Sequence, residues 1–140
     1  MSFLLDTNAV SEWVKPTPDP GFVGWLQMAD EDSVFLSVIT LAELRFGTER
    51  LPLGARRSRL ESWLQDDVIH RFEGRILPTD SLVADAWGRL VAQGESKGRS
   101  IAAMDGFLAA TAYVHGLTVV TRNTNNFVGF CEIFNPWTKQ

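Results

Sequence analysis

Three short stretches of this chain are apolar at every position, Phe3-Leu4-Leu5, Val34-Phe35-Leu36 and Ile76-Leu77, and residues 117–121 form a β-branched run of the same buried kind. A strand without polar alternation must be covered on both faces, as happens in parallel sheets flanked by helices. The stretches between these runs carry helical spacing instead. Residues 8–14 form a short helix ended by Pro16. Asp19-Pro20 opens another, with Asp as N-cap and Pro in the first turn. A third is expected over residues 41–50, before Pro52 opens a hairpin. Leu60, Trp63, Leu64, Val68 and Phe72 recur at helical spacing, as do Val83, Ala86, Trp87, Leu90 and Val91 behind a cap at Asp80. Residues 93–100 are polar with two glycines and read as a loop. An Ala-rich helix over 102–115 stops at Gly116, and a last strand is expected over 131–134. This order of strands and helices is that of an α/β fold with a parallel sheet and right-handed crossovers.

The length of 140 residues fits a single domain over 1–140, and a hydrophobic fraction of 45% suffices for a core. The single cysteine, Cys131, excludes an internal disulfide and a structural zinc site of four thiolates. An acidic residue at position 6 interrupts any long apolar leader, and no run approaches the ~20 apolar residues of a membrane span. The expected location is therefore cytoplasmic. A net charge of −4 argues against a protein that coats nucleic acid by bulk positive charge.

In doubly wound sheets, ligands sit beyond the carboxyl ends of the strands. Asp6 directly follows the first strand, with Thr7 and Asn8 after it. Helix capping alone would also account for an acid there. Glu43 is expected in the first turn of the helix after the second strand, where Thr40-Leu41-Ala42-Glu43 matches a capping box. Asp105 is the one acid in an apolar helix running to Val114, a costly placement unless it caps, pairs or binds a cation. Asn123 follows the strand at 117–121, where turn residues are common. All four positions fall on one side of the sheet. Carboxylates converging there repel one another unless a cation neutralises them, and oxygen donors suit Mg²⁺ or Mn²⁺. His70 and His115 have no other ligands beside them, which disfavours a histidine-rich zinc site. Such a centre suits phosphoryl chemistry.

Leu4-Leu5-Asp6-Thr7-Asn8, Leu36-Ser37-Val38-Ile39-Thr40-Leu41-Ala42-Glu43-Leu44, Ala102-Ala103-Met104-Asp105 and Thr121-Arg122-Asn123-Thr124, in this order and spacing, resemble PIN domains. More narrowly they resemble the VapC and FitB toxins of type II toxin–antitoxin pairs, as do Ile76-Leu77-Pro78 and Phe134-Asn135-Pro136-Trp137. The resemblance covers essentially the whole chain. It implies a three-layer α/β/α PIN domain with a central parallel sheet of about four or five strands. It also implies a Mg²⁺-dependent endoribonuclease that hydrolyses RNA phosphodiester bonds with a metal-activated water, with Mn²⁺ as a possible substitute. The partners implied are RNA and a cognate, usually DNA-binding antitoxin, in a homodimer or a toxin–antitoxin hetero-oligomer. Carried over by position, Asp6, Glu43 and Asp105 are catalytic and metal-binding residues, and Asn123 completes the site. Many relatives carry Asp at that last position, so the alternative function is a catalytically weak PIN-fold module acting with its antitoxin in transcriptional control. Thr7, Asn8 and Thr121 are expected to support the acids.

For RNA contact the positions adjoining the motifs are Arg122 and Arg45, while Arg56, Arg57 and Arg59 are better explained as a solvated basic face. Trp13 and Trp25 lie in the region that contributes to the antitoxin groove in relatives, and are the expected antitoxin contacts.

Overall fold

A computed structural model describes residues 1–138. Five parallel strands form one sheet in the order β3-β2-β1-β4-β5: β1 (Phe3–Leu5), β2 (Val34–Ser37), β3 (Ile76–Leu77), β4 (Thr118–Val120) and β5 (Ile133–Phe134). Leu4 lies opposite Phe35 on one side and Val119 on the other. The chain builds outward from β1 to β2 and β3, then returns to place β4 on the opposite side of β1. The strand order therefore reverses between β1 and β4, which marks the crevice at their carboxyl ends.

Successive strand residues face opposite sides of the sheet, and both sides are covered. Leu5, Leu36 and Val120 pack with Val10 of α1 (Thr7–Trp13), Phe22 of α2 (Pro20–Met28) and Leu44 of α3 (Val38–Glu49). Leu64, Val68 and Phe72 complete this layer. They come from the irregular helical stretch that starts at α4 (Ala55–Ser62), passes through a π-helical segment (Trp63–Val68) and ends at α5 (Ile69–Arg71). Leu4 and Val119 face the other way, toward Leu108, Ala109 and Ala112 of α7 (Ala103–His115) and toward Phe127 and Phe130. On the outside, α6 (Ser81–Ser96) packs Val83 and Ala86 against Ala110 of α7. The expected three-layer α/β/α fold with a parallel sheet is thus the observed one.

Several boundaries differ from those read in the sequence. The loop expected at 93–100 is helical as far as Ser96, and Gly94 is there a packing residue, facing the Phe130 ring so closely that a Cβ would sit 2.5 Å from it. The turn proper comes at Gly98, with φ 73°. After Pro52 the chain makes a helical hairpin, so the arginines at 56, 57 and 59 lie on α4. The third helix begins at Val38, capped by the Ser37 hydroxyl, which accepts from the Ile39 amide at 3.0 Å. Thr40 is therefore no N-cap. It is fully buried inside the first turn, and Glu43 falls in the second turn with no capping-box role.

Two contacts tie the chain's end to its beginning. The Trp137 indole N–H donates to Glu12 Oε1 at 3.0 Å, and the Thr138 amide donates to Asp19 Oδ2 at 2.9 Å. Glu12 is only 4% exposed, and it also accepts from Lys15 Nζ and the Asp19 amide. These donors outweigh the effect of burial and hold its carboxyl below the usual range.

Candidate active site

Asp6 leaves β1 at the reversal point and is 4% exposed. It caps α1, with Oδ1 accepting from the Ala9 amide at 2.7 Å. Its other oxygen accepts from the Thr121 hydroxyl at 2.5 Å, across the crevice from the end of β4. Thr121 Oγ1 in turn accepts from the Asn123 amide at 2.9 Å. The cap and the site are thus one arrangement. Each Asp6 oxygen uses one acceptor position on the protein and keeps another free.

A pocket of about 120 Å³ brings together Asp6, Thr7, Asn8, Glu43, Asp105 and Asn123, with Leu108, Asn126 and Phe127 closing it. Glu43 reaches it from α3 and accepts from the Thr7 hydroxyl at 2.6 Å. Asp105 reaches it from the first turn of α7, a location favoured by the helix dipole. Thr121 is buried behind Asp6 rather than in the pocket wall. Every sequence-predicted acid therefore converges on one place. Asn126, on the short turn Thr124–Asn126, joins them although no local pattern singles it out. Its position just before the buried Phe127 is the one signal, since that ring anchors the turn in the core.

Burial pushes the Asp6 carboxyl from 3.8 to about 6, against the lowering effect of its hydrogen bonds to Thr121 and Ala9, and the charges of Asp105 and Glu43 push it further up. The Asp105 carboxyl is also raised, first by burial and then by Glu43. The partners that Asp6 accepts from are neutral. Among the described residues no three His, Cys, Asp or Glu side chains stand close enough to hold an ion as they are. Asp6, Glu43 and Asp105 share the pocket, and like charges brought together in this way favour a cation between them. The all-oxygen donor set and the missing positive charge fit a hard divalent ion.

The expected RNA and antitoxin contacts lie outside this pocket. Arg122 is exposed beside Asn123. Arg45 lines neither the acidic pocket nor the larger groove beside it, and points along α3 to Glu49 at 3.5 Å. Trp25 packs against Phe3, Phe22 and Phe134. Trp13 packs edge-on to Phe72 beneath the Arg71 guanidinium and borders a separate cavity of about 190 Å³. Both indoles are half-buried, with one part of each ring packed on the core.

The PIN domain model matches residues 3–132. The chain belongs to the PIN-domain family. It is 42% identical over 135 residues to Toxin FitB of Neisseria gonorrhoeae, covering 96% of this chain and 97% of that protein. It is 39% identical to VapC ribonuclease Y4jK of Sinorhizobium fredii, covering 96% of each. Among solved structures, FitAB bound to the IR36 DNA fragment superposes with a TM-score of 0.92 at 39% identity, covering 99% of this chain and 97% of that one. In this chain the acidic pocket lies at the strand reversal between β1 and β4. No helix among the described residues is long and apolar enough to cross a membrane.

Proposed function

We propose that this PIN domain, acting as one unit over 1–140, is a Mg²⁺-dependent endoribonuclease and the toxin of a type II toxin–antitoxin pair. The observation that carries this is a buried Asp6, fixed from two sides by neutral donors, sharing a pocket with Glu43 and Asp105. The relatives named as toxin and as ribonuclease support the activity class. Solved neighbours that are toxin–antitoxin complexes bound to DNA support a DNA-binding antitoxin as partner. Assembly as a homodimer or as a toxin–antitoxin hetero-oligomer belongs to the same reading.

Asp6 and Asp105 would hold the metal, with Glu43 as a further ligand or the group that orients the attacking water. When bound, Mg²⁺ or Mn²⁺ neutralises charge on the phosphate and makes water a better nucleophile at neutral pH. The chain's own residues prepare that chemistry. Thr121 holds Asp6 in one rotamer, and Thr7 does the same for Glu43. The Asn123 backbone orients the Thr121 hydroxyl, leaving its carboxamide free to offer an uncharged oxygen. Leu108 and Phe127 wall the pocket from bulk solvent.

The test is cleavage of RNA by antitoxin-free protein with Mg²⁺, with Mn²⁺ and with EDTA, beside Asp6→Asn. Metal-dependent cleavage lost in the variant is the expected result. A second reading, a catalytically weak module for transcriptional control, draws on the uncharged Asn123. Calorimetric titration that finds no Mg²⁺ binding, together with intact RNA, would favour it.

A further inference from the structure

Beside the acidic pocket runs a groove of about 830 Å³ between α1, α3 and α4, and the two share Thr7 and Glu43 in their walls. Its size lies within the range of clefts that enclose a ligand. The floor is apolar, with Val14, Leu44, Leu60 and Trp63. Arg56 and Arg59 line it from α4. Positions 56, 59, 60 and 63 lie on one face of a helix, so the two cations and the indole project into the same space.

Neighbouring arginines on α4 have different chemistry. Arg57, on another face, donates to Glu61 Oε1 at 2.8 Å and Glu49 Oε2 at 2.5 Å, and is neutralised within the protein. Among the described residues Arg56 and Arg59 make no ion pair. Two unneutralised guanidinium groups next to a carboxylate cluster, in a chain of net charge −4, call for an anionic occupant. An apolar lining that includes an indole suits flat, stackable groups. Single-stranded nucleic acid has both.

Resting on the ribonuclease reading above, the geometry points to this groove as the track for the RNA strand flanking the scissile phosphate, with Arg56 and Arg59 on backbone phosphates and Trp63 stacking a base. The continuity of groove and pocket through Thr7 and Glu43 lets one strand occupy both. Guanidinium groups pair well with phosphate, and among the described residues neither has an ion pair to give up.

The test measures binding of a fluorescein-labelled, mixed-sequence 12-nucleotide RNA across a salt series, in an Asp105→Asn background so that the strand is bound and not cut. Cleavage by the otherwise wild-type chain is assayed in parallel. Each phosphate contact on a single strand contributes about 0.7 to the slope of log K against log salt, so Arg56→Gln/Arg59→Gln should lower the slope by about 1.4. Arg89→Gln, which removes a cation paired with Asp85 on α6, should leave it unchanged. Trp63→Leu should weaken binding roughly tenfold at an unchanged slope, and Trp63→Phe should restore it. Thermal melts establish that each variant is folded. A wild-type slope in the double arginine variant, with cleavage intact, overturns the groove assignment alone. Normal RNA binding with loss of the co-expressed antitoxin does the same and makes the groove a protein dock. Absence of both cleavage and RNA binding in the parent chain overturns the ribonuclease reading together with this one.

Discussion

The two walls of the acidic pocket are built differently. On the sheet side, Asp6, Thr121 and Asn123 are joined by hydrogen bonds across the β1–β4 reversal, and Asp6 is buried. On the helix side, among the described residues, Asp105 has no hydrogen bond comparable to those of Asp6, and Glu43 is steadied by Thr7 alone. The sheet wall is therefore set before any ligand arrives. The helix wall carries the negative charge that an arriving cation would draw in. Preorganisation of one wall leaves little freedom to lose on binding at that side.

The largest effect should come from removing either metal-facing acid. Asp6→Asn and Asp105→Asn are both expected to reduce RNA cleavage below detection while the proteins remain folded, as judged by circular dichroism. Cleavage that survives in both would show that neither wall carries the chemistry. The walls should separate in stability: Asp6→Asn removes a buried charge, so the metal-free variant should melt above wild type at pH 7.5, with a smaller gain for Asp105→Asn.

Next comes Thr121→Val, which removes the hydroxyl that fixes Asp6 and leaves the shape nearly unchanged. Loss of a group that orients a ligand typically costs about 10–100-fold in metal affinity or activity. Thr7→Val, the equivalent change on the helix wall, should cost less. Equal losses in the two variants would remove the distinction between the walls.

The third prediction concerns pH in metal-free protein. The Asp6 carboxyl is raised from 3.8 to about 6 in the fold, so the native state binds more protons than the unfolded chain between those values. Its contribution is fully present below about pH 3.8 and is lost as pH rises through about 6. The loss at neutral pH is on the order of 3 kcal/mol. Chemical denaturation across this range should show that decline flattened in Asp6→Asn. Saturating Mg²⁺ at pH 7.5 should raise the wild-type melting temperature, and an unchanged melt would count against a metal at this wall.

The smallest effect is a stability contrast on α3. Because Ser37 is the cap, Ser37→Ala should lower stability by about 0.5–2 kcal/mol. Glu43→Gln should change it by no more than about 0.5 kcal/mol while impairing cleavage. A large loss of stability for Glu43→Gln would restore the capping box that the structure replaces.

Local pattern carried much of the fold. Uninterrupted apolar strands demanded two covered faces, and Asp19-Pro20, Asp80 and Gly116 each mark a helix boundary where the structure has one. It failed at Glu43 because the Thr-x-x-Glu spacing competes with Ser37, and the β-branched pair Val38-Ile39 continues from strand into helix without a break. It failed at 93–100 because the partner that tolerates a helical glycine, Phe130, lies far along the chain.

By itself the sequence determined the alternation of strands and helices, the oxygen-only chemistry and the four polar positions that meet at one end of the sheet. Those depend on periodicity and residue type, which are local properties. Tertiary structure decided what the residues do for one another. It joined Thr121 to Asp6 over a separation of 115 positions, brought Asn126 into the pocket, and left Arg56 and Arg59 in the adjoining groove without an ion pair among the described residues while Arg57 was neutralised. These outcomes depend on burial and on partners distant in the chain, and both exist only once the sheet has brought the ends of β1 and β4 together.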